Sequence, residues 1–397
     1  MNERINIVSL KHDNQDLSPV DKYGKANAEK VINFHKSFPE YKETPLVSLD
    51  NLAKQLGVNN IYIKDESYRF GLNAFKVLGG SYAIGRYIAK KLNKDISELP
   101  YEKMVSKEVK DILGDITFVT ATDGNHGRGV AWTANRLKQK SVVYMPKGSA
   151  QERLDNIKAL GSDASITDLN YDDAVRLANE SQNKYGWVLV QDTAFKGYTN
   201  IPGWIMEGYT TMAHEAAKQL QEEKPTHIFL QAGVGAMAGA VTAYFADLYK
   251  EERPIITIVE PDKADCIFRT AKANDGKLHF VTDDMNSMMA GLCCGEPCSI
   301  AWDILRDHAD YFVSIPDYVS AKGMRTLAWT IGNDQKVVSG ESGAATLGLV
   351  VEIMQNKDLI EIKNKLQLDK NSKILCFSTE GDTDKQNYQR IINDETY

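Results

Sequence analysis

The sequence lacks the features of a nucleic-acid-binding or membrane protein. Lysine and arginine number 47 against 54 aspartates and glutamates, a net charge of −7, which argues against a nucleic-acid surface. No apolar segment is long enough to span a bilayer, and the first residues, MNERINIVSL, have no apolar core of a secretion signal. We therefore expect a cytoplasmic protein that acts on a small molecule, without a nucleic-acid or membrane partner.

Cysteine is also scarce, which argues against a disulfide framework or a zinc site. None of the spacings matches the paired C-x2-C pattern of zinc ligands. The five cysteines are Cys266, Cys293, Cys294, Cys298 and Cys376. Because a thiol is usually a small packed group, we predict reduced, mostly buried cysteines and no bound metal.

What the sequence does contain is a regular alternation of strand-like and helix-like segments. Its 397 residues are 43% hydrophobic, enough for one large α/β domain or two domains. Apolar runs such as FVTA, WVLV, HIFLQ and KILCF are each followed by a turn and, in most cases, a helical pattern. Repeated strand–helix–strand units predict a mainly parallel sheet with helices on both faces, and ligands bind such sheets beyond the carboxyl ends of the strands.

One such strand, HIFLQ, leads into a glycine loop. Gly233, Val234, Gly235, Ala236 and Met237 lie between this strand and a helix, where backbone N–H groups form a cradle for phosphate. The loop also fits the dinucleotide pattern G-x-G-x-x-A, and Glu260 ends the next strand where a ribose-binding acid would lie. An NAD-dependent oxidoreductase, and tight packing of helix on strand, are therefore alternatives.

A lysine in an apolar setting gives a second signal. Lys76 follows Phe75 and precedes Gly79 and Gly80 at the predicted start of a helix. It is either a surface lysine or an amine whose pKa is lowered by burial and by the helix dipole. Such an amine forms a Schiff base with a carbonyl, and together with a phosphate cradle it indicates pyridoxal phosphate.

The stretch ATDGNHGRG provides a third candidate region. The turn through Gly124, Asn125 and His126 presents backbone N–H groups suited to a carboxylate, and Asp123 and Asn125 point into the same cleft. The alternatives are that Asp123 only caps a helix and that His126 is a helix-start residue rather than a base.

These motifs together resemble the fold-type II pyridoxal-phosphate enzymes. Phe75-Lys76 before two glycines, GNHG, the loop from Gly233 and SGESGAAT occur in the order typical of that family. The resemblance implies two open, mainly parallel twisted sheets covered by helices, with the cofactor between a large and a small domain. It also implies a homodimer, a large domain of residues 1–83 and 195–397, and a small domain of residues 84–194.

Other segments resemble the members of this family that are ammonia-lyases for 2,3-diaminopropionate. They include KDESYRFGLNAFK, TDGNHGRGVAW, VEPDKADC and MAGLCCGEP. The resemblance implies elimination from both D and L substrates, giving pyruvate and two ammonia molecules. Asp123 stands where hydroxyl-eliminating relatives have a small residue, and with Asp192 it suits a substrate with a cationic β-substituent.

The resemblance also implies roles for individual residues. Lys76 would carry the cofactor and act as base toward one enantiomer, with Asp123 or Asp192 toward the other. Asp123, Gly124, Asn125, His126 and Asp192 would contact the substrate. Phe75 would pack on the cofactor ring, Asn125 bind its phenolic oxygen, and residues 233–237 hold the phosphate. Ser378 or Thr379 would meet the ring nitrogen, and Glu341 and Ser342 either cap a helix or face the pocket. The alternatives within the family are a serine or threonine dehydratase and a β-replacement enzyme.

Overall fold

The protein contains two separate β-sheets flanked by helices. The computed structural model describes residues 4–10, 17–122 and 124–393, so Asp123 lies outside the described residues. Within these residues, the strands are β1 (Asn6–Ser9), β2 (Leu46–Ser48), β3 (Asn60–Asp65), β4 (Thr117–Ala121), β5 (Lys140–Met145), β6 (Asp163–Ile166), β7 (Val188–Leu189), β8 (His227–Gln231), β9 (Ile255–Pro261), β10 (Tyr311–Ile315) and β11 (Lys373–Ser378).

The larger sheet has seven strands in the order β1-β10-β9-β8-β11-β3-β2. Its five inner strands are parallel, and the two edge strands β1 and β2 run antiparallel to their neighbours. The central strands are mostly apolar, as expected for a sheet covered on both faces, and every residue of β8 is buried.

The smaller sheet has four parallel strands in the order β6-β5-β4-β7. All four come from one continuous part of the chain, between Thr117 and Leu189. Two mainly parallel sheets formed by alternating strands and helices confirm the predicted fold class.

The helices cover both faces of each sheet. They are α1 (Lys25–Lys36), α2 (Asp50–Leu56), α3 (Val77–Leu92), α4 (Tyr101–Met104), α5 (Lys107–Leu113), α6 (Asn125–Arg136), α7 (Gln151–Lys158), α8 (Tyr171–Tyr185), α9 (Asn200–Leu220), α10 (Ala236–Tyr249), α11 (Cys266–Ala273), α12 (Ser299–His308), α13 (Asp317–Ala328), α14 (Glu341–Gln355), α15 (Ile360–Lys365) and α16 (Lys385–Asn393). Among the described residues, none of these helices has both the length and the apolar character needed to cross a membrane.

Buried apolar side chains form a separate core on each face of the larger sheet. One core joins α1, α3, α9, α10 and α12 to that sheet, and the other joins it to α2, α13, α14 and α16. The smaller sheet has a thinner core on each face, under α8 on one side and under α6 and α7 on the other. Helix α3 starts beside the larger sheet and packs on both α9 and α6, so it connects the two halves of the molecule.

Candidate active site

The carboxyl ends of strands from both sheets meet around one cavity. Segments following β4, β8 and β11 contribute to its wall, which is the location expected for ligands of parallel sheets. The cavity is lined by Phe75, Lys76, Asn125, residues 231–238, Gly291, Leu292, Cys294, Ser342, Thr379 and Glu380. The structure thus brings together Phe75, Lys76, Asn125, the glycine loop and Thr379, which the sequence predicted to share a site.

The glycine loop connects β8 to α10 along one side of this cavity. Gly235 has a φ of +94°, a conformation that favours glycine, and a Cβ there would lie 2.7 Å from the Ile267 Cδ1 atom. A Cβ at Gly233 would lie 3.2 Å from the Cys294 sulfur. Because α10 begins at Ala236 on the cavity wall, the positive end of its dipole is directed toward the cavity, as in an anion site.

Lys76 lies directly before α3 and forms an ion pair with Asp192. Lys76 Nζ donates to Asp192 Oδ2; the side chains are 21% and 3% exposed, respectively. Burial alone would lower the pKa of Lys76, but the Asp192 carboxylate outweighs burial and the pKa lies above its ordinary value. The prediction of a lysine with a lowered pKa is therefore wrong for this state, because the sequence did not reveal that Asp192 is its partner.

Asp192 is the buried acid of the site. It lies just beyond β7, opposite the start of α3. Burial would raise its pKa, but the nearby charges of Lys76 and His126 reverse this effect and lower the pKa to about 2. The carboxylate therefore stays ionised at neutral pH and places a negative charge beside the lysine, although Asp192 is not among the residues that line the cavity.

Three glycines allow the Lys76 segment to pack tightly against its neighbours. A Cβ at Gly129 of α6 would lie 2.8 Å from the Val77 Cα, and a Cβ at Gly208 of α9 would lie 2.3 Å from the Leu78 carbonyl oxygen. A Cβ at Gly79 would lie 2.6 Å from the Tyr209 ring. The backbone that carries Lys76 therefore lies in direct contact with two other helices.

Asn125 begins α6 and is held by a buried glutamate. Its Nδ2 donates to Glu380 Oε2 at 2.6 Å, and the backbone N–H of Ser342 donates to Glu380 Oε1 at 3.1 Å. His126 is buried in the first turn of α6, where its Nε2–H donates to the Val190 carbonyl at 2.8 Å. This bond ties the turn to the segment that carries Asp192. Gly124 precedes the helix outside the cavity lining.

The two hydroxyls after β11 have different surroundings. Ser378 Oγ donates to Ser339 Oγ at 2.8 Å and is absent from the cavity lining. Thr379 lines the cavity, and its Oγ1 accepts a hydrogen bond of 2.8 Å from Gln231 Nε2. Since Gln231 supplies a donor, the Thr379 hydroxyl proton remains available for an acceptor inside the cavity.

Sequence reasoning missed Glu380 and Gln231 as cavity residues. Both lie next to the residues that it used: Glu380 follows Thr379 in FSTEG, and Gln231 ends HIFLQ just before the glycine loop. A carboxylate just beyond a buried strand was the available signal for Glu380.

The negative charge of Glu380 acts on Glu341, whose carboxyl accepts a hydrogen bond from Asn387. Burial, and after it the charge of Glu380, raises the pKa of Glu341 from 4.5 to about 7.

This raised pKa predicts a pH-dependent stability. Between pH 4.5 and about 7 the folded protein binds the Glu341 proton more tightly than the unfolded chain does. The stability from Glu341 is therefore largest below pH 4.5 and is lost as the pH rises to 7, by at most about 1.4 kcal/mol per pH unit. Denaturant unfolding between pH 5 and about 8 should show a flatter pH dependence in Glu341→Gln. The exposed Glu361→Gln serves as the control; an equal flattening in that variant would contradict the assignment to Glu341.

The NAD alternative depends on Glu260, which the structure places in another role. Its carboxylate accepts backbone N–H bonds from Ile267 at 3.0 Å and Phe268 at 2.6 Å. Both of its oxygens therefore hold the start of α11, and the side chain is only 1% exposed. A carboxylate occupied in this way is not available to bind a ribose.

Comparison with known proteins gives a consistent result. A family model described as pyridoxal-phosphate dependent enzyme matches residues 38–375. The chain is similar to the diaminopropionate ammonia-lyase of Salmonella typhimurium, with 52% identity over 366 residues and 91% of each chain covered.

Solved structures of a similar protein match the whole fold. The holo form of diaminopropionate ammonia lyase from Escherichia coli superimposes with a TM-score of 0.92 at 47% identity, covering 99% of this chain and 97% of that one. The same enzyme in complex with an aminoacrylate–PLP azomethine reaction intermediate gives a TM-score of 0.90 at 46% identity, covering 98% and 97% of the two chains.

Proposed function

Because the chain belongs to the family of pyridoxal-phosphate-dependent enzymes, we propose that it eliminates ammonia from 2,3-diaminopropionate. The products are pyruvate and two molecules of ammonia, and both the D and the L substrate are accepted. The enzyme is thus a carbon–nitrogen lyase. Support comes from relatives that are about half identical over nearly the full chain and from the arrangement of charges in the cavity.

The side chains around the cavity fit pyridoxal phosphate. Residues 233–237 at the start of α10 offer backbone N–H groups to its phosphate, and Lys76 offers an amine to its aldehyde. Phe75 lies beside Lys76 to pack on the ring, and the Thr379 hydroxyl is available to the ring nitrogen. Asn125 provides an amide for the phenolic oxygen, in an orientation held by Glu380.

The observation that carries the choice of substrate is the buried charge of Asp192. A carboxylate that stays ionised where solvation is poor, in contact with the lysine of the cavity, attracts the β-ammonium group of diaminopropionate. The hydroxyl of serine carries no charge, so the carboxylate does not attract it in the same way. Asp123, which lies outside the described residues, keeps its role from the sequence as a second carboxylate for this ammonium group. To the turn at Gly124, Asn125 and His126 we assign the binding of the substrate carboxylate.

The proton transfers are divided between the lysine and the acids. Pyridoxal phosphate, when bound, supplies the electron sink that allows an α-proton to leave and the β-amino group to depart. Lys76 Nζ removes the α-proton of one enantiomer, and Asp192 or Asp123 removes that of the other. Domain closure around the cofactor excludes water until the β-amino group has left.

The direct test is pyruvate release from each of four amino acids. Purified protein loaded with pyridoxal phosphate is given D-diaminopropionate, L-diaminopropionate, serine and threonine at equal concentration. We expect the highest kcat/KM for the two diaminopropionates. A preference for serine or threonine would instead identify a dehydratase, and the absence of a visible cofactor band would contradict the use of pyridoxal phosphate.

The two hydroxyls at the end of β11 give a paired prediction. Thr379→Val removes the donor proposed for the ring nitrogen and is expected to weaken pyridoxal phosphate binding about tenfold. Ser378→Ala removes the bond to Ser339 and a long one of 3.5 Å to the Glu380 carbonyl, and is expected to cost about 1 kcal/mol of stability without changing cofactor affinity. Titration of the visible absorbance with cofactor, together with denaturant unfolding, measures both. The reverse pattern would assign the ring nitrogen to Ser378.

The remaining features of the proposal concern organisation and location. Residues 1–83 and 195–397 form the large domain and residues 84–194 the small one, a division supported by the separate four-stranded sheet. The enzyme is a homodimer, as the family resemblance implies, and we propose a cytoplasmic location. Sedimentation or light scattering of the purified protein tests the dimer.

A further inference from the structure

A buried tyrosine that the proposed mechanism does not use lies behind the Phe75–Lys76 wall of the site. Tyr209 lies on α9 and is completely buried. Its ring centroid is 4.8 Å from that of Phe75, and a Cβ at Gly79 would lie 2.8 Å from its Cζ. Lys76 Nζ lies 5.7 Å from the centroid of the same Phe75 ring. The phenol is therefore packed directly under the segment that carries the lysine.

The hydroxyl of Tyr209 has no hydrogen-bond partner in the part of the chain that the structure describes. An unpaired buried hydroxyl is unfavourable, and an exception of this kind in a native protein calls for an explanation. Tyr244 on the adjacent helix α10 is equally buried, yet its hydroxyl is 3.2 Å from the His214 Nδ1 atom. The absence of a partner for Tyr209 indicates that one is supplied in another state of the site.

Two charged groups lie close enough to Tyr209 to affect its hydroxyl. Burial raises the pKa of the phenol, Lys76 lowers it and Asp192 raises it. The charges of both Lys76 and Asp192 therefore act on the hydroxyl. Of the two, only the carboxylate can accept a hydrogen bond from a neutral phenol.

Cofactor binding removes the charged hydrogen-bond partner of Asp192. Its carboxylate is 3% exposed, and Lys76 is its charged partner in this state. When Lys76 Nζ binds the cofactor aldehyde, it can no longer donate to Asp192 as a free ammonium. A buried carboxylate that loses its partner is strongly destabilised unless another donor replaces it.

We propose that Tyr209 is a positioning residue whose hydroxyl donates to the Asp192 carboxylate after Lys76 has bound the cofactor. The hydroxyl then holds the carboxylate ionised and in place, ready to meet the substrate. This inference deepens the proposed function and requires only its cofactor, because the predicted bond forms before any substrate binds.

The test is the variant Tyr209→Phe, which keeps the ring and its contacts with Phe75 and Gly79. Apo protein is titrated with pyridoxal phosphate between pH 5 and about 9, and the visible absorbance gives the dissociation constant at each pH. We expect binding about tenfold weaker at neutral pH, because a hydrogen bond to a charged group is lost. We also expect the acid limb of the binding curve to move about one pH unit upward, since in the loaded state Asp192 lacks the Lys76 ammonium and burial makes the carboxylate easier to protonate without this donor.

Two controls separate this role from simple packing. Tyr23→Phe removes a buried hydroxyl that contacts Met206 Sδ at 3.9 Å on the same helix, away from the cavity, and is expected to change neither quantity. In an Asp192→Asn background, Tyr209→Phe is expected to have little further effect, because its acceptor charge is gone. Denaturant unfolding confirms that each variant is folded.

The possible results distinguish a failure of the inference about Tyr209 from a failure of the proposed function. Unchanged affinity and an unchanged acid limb in Tyr209→Phe overturn the inference, as does an equal effect in Tyr23→Phe or a full effect without Asp192. Absence of cofactor binding in the wild-type protein would contradict the proposed function itself. Normal cofactor binding without turnover of diaminopropionate would contradict the proposed substrate, while the result for Tyr209 would still stand.

Discussion

Lys76→Ala is expected to lower kcat for diaminopropionate by at least about 10⁴-fold. The substitution removes both the amine that binds the cofactor and the base for one enantiomer, and no other lysine lines the cavity among the described residues. Pyridoxal phosphate should then bind without the absorbance of a lysine-linked cofactor. Borohydride reduction followed by peptide mapping measures the covalent link directly, and steady-state pyruvate release measures kcat.

The matched control is Lys90→Ala, which changes an exposed lysine on the same helix α3. Its kcat and its borohydride product should equal those of the wild-type protein. If Lys76→Ala retained a reducible link at another lysine, or kept more than about one hundredth of the wild-type kcat, the assignment of Lys76 would be wrong.

Asp192→Asn is expected to reduce the preference for diaminopropionate over serine about 100-fold. The reason is the loss of the buried negative charge that would hold the β-ammonium group, since removing one partner of a buried charge pair typically costs about 3–5 kcal/mol (~10²–10⁴-fold). The substitution also removes the main charge that opposes the lowering of the Lys76 pKa by burial. Because this second effect acts on both substrates, the ratio of the two kcat/KM values isolates the effect of the charge on specificity.

The control for this prediction is Asp172→Asn, a half-buried carboxylate in the wall of a neighbouring cavity. It changes the same chemical group without altering the partner of Lys76, so the substrate ratio should stay at the wild-type value. An unchanged ratio in Asp192→Asn would mean that the carboxylate serves only the lysine and that another group selects the substrate.

The fold could be predicted from the sequence because its strands and turns carry strong local signals. The apolar runs that became β4, β8 and β11 are bounded by turns, and the glycine loop begins where β8 ends. The resemblance to the family then supplied the division into two sheets, which alternation alone did not give. Local pattern determines where a strand ends, and strand ends determine where a ligand lies.

The state of the site could not be predicted in the same way, because it depends on pairs distant in sequence. Lys76 and Asp192 are 116 residues apart, and Asn125 and Glu380 are 255 residues apart. The sequence identified three of these four residues but gave no indication of which would meet. For this reason it predicted a lowered pKa for Lys76, where the fold provides a carboxylate that raises it.

The close packing of Gly79, Gly129 and Gly208 around the lysine segment has a consequence for how the chain tolerates mutation. Any side chain at Gly129 or Gly208 would push on the backbone of Val77 or Leu78 rather than on a movable side chain. Substitutions there are expected to abolish activity although neither residue lines the cavity. A random mutational screen for lost activity should therefore find these glycines as often as the residues that contact the cofactor.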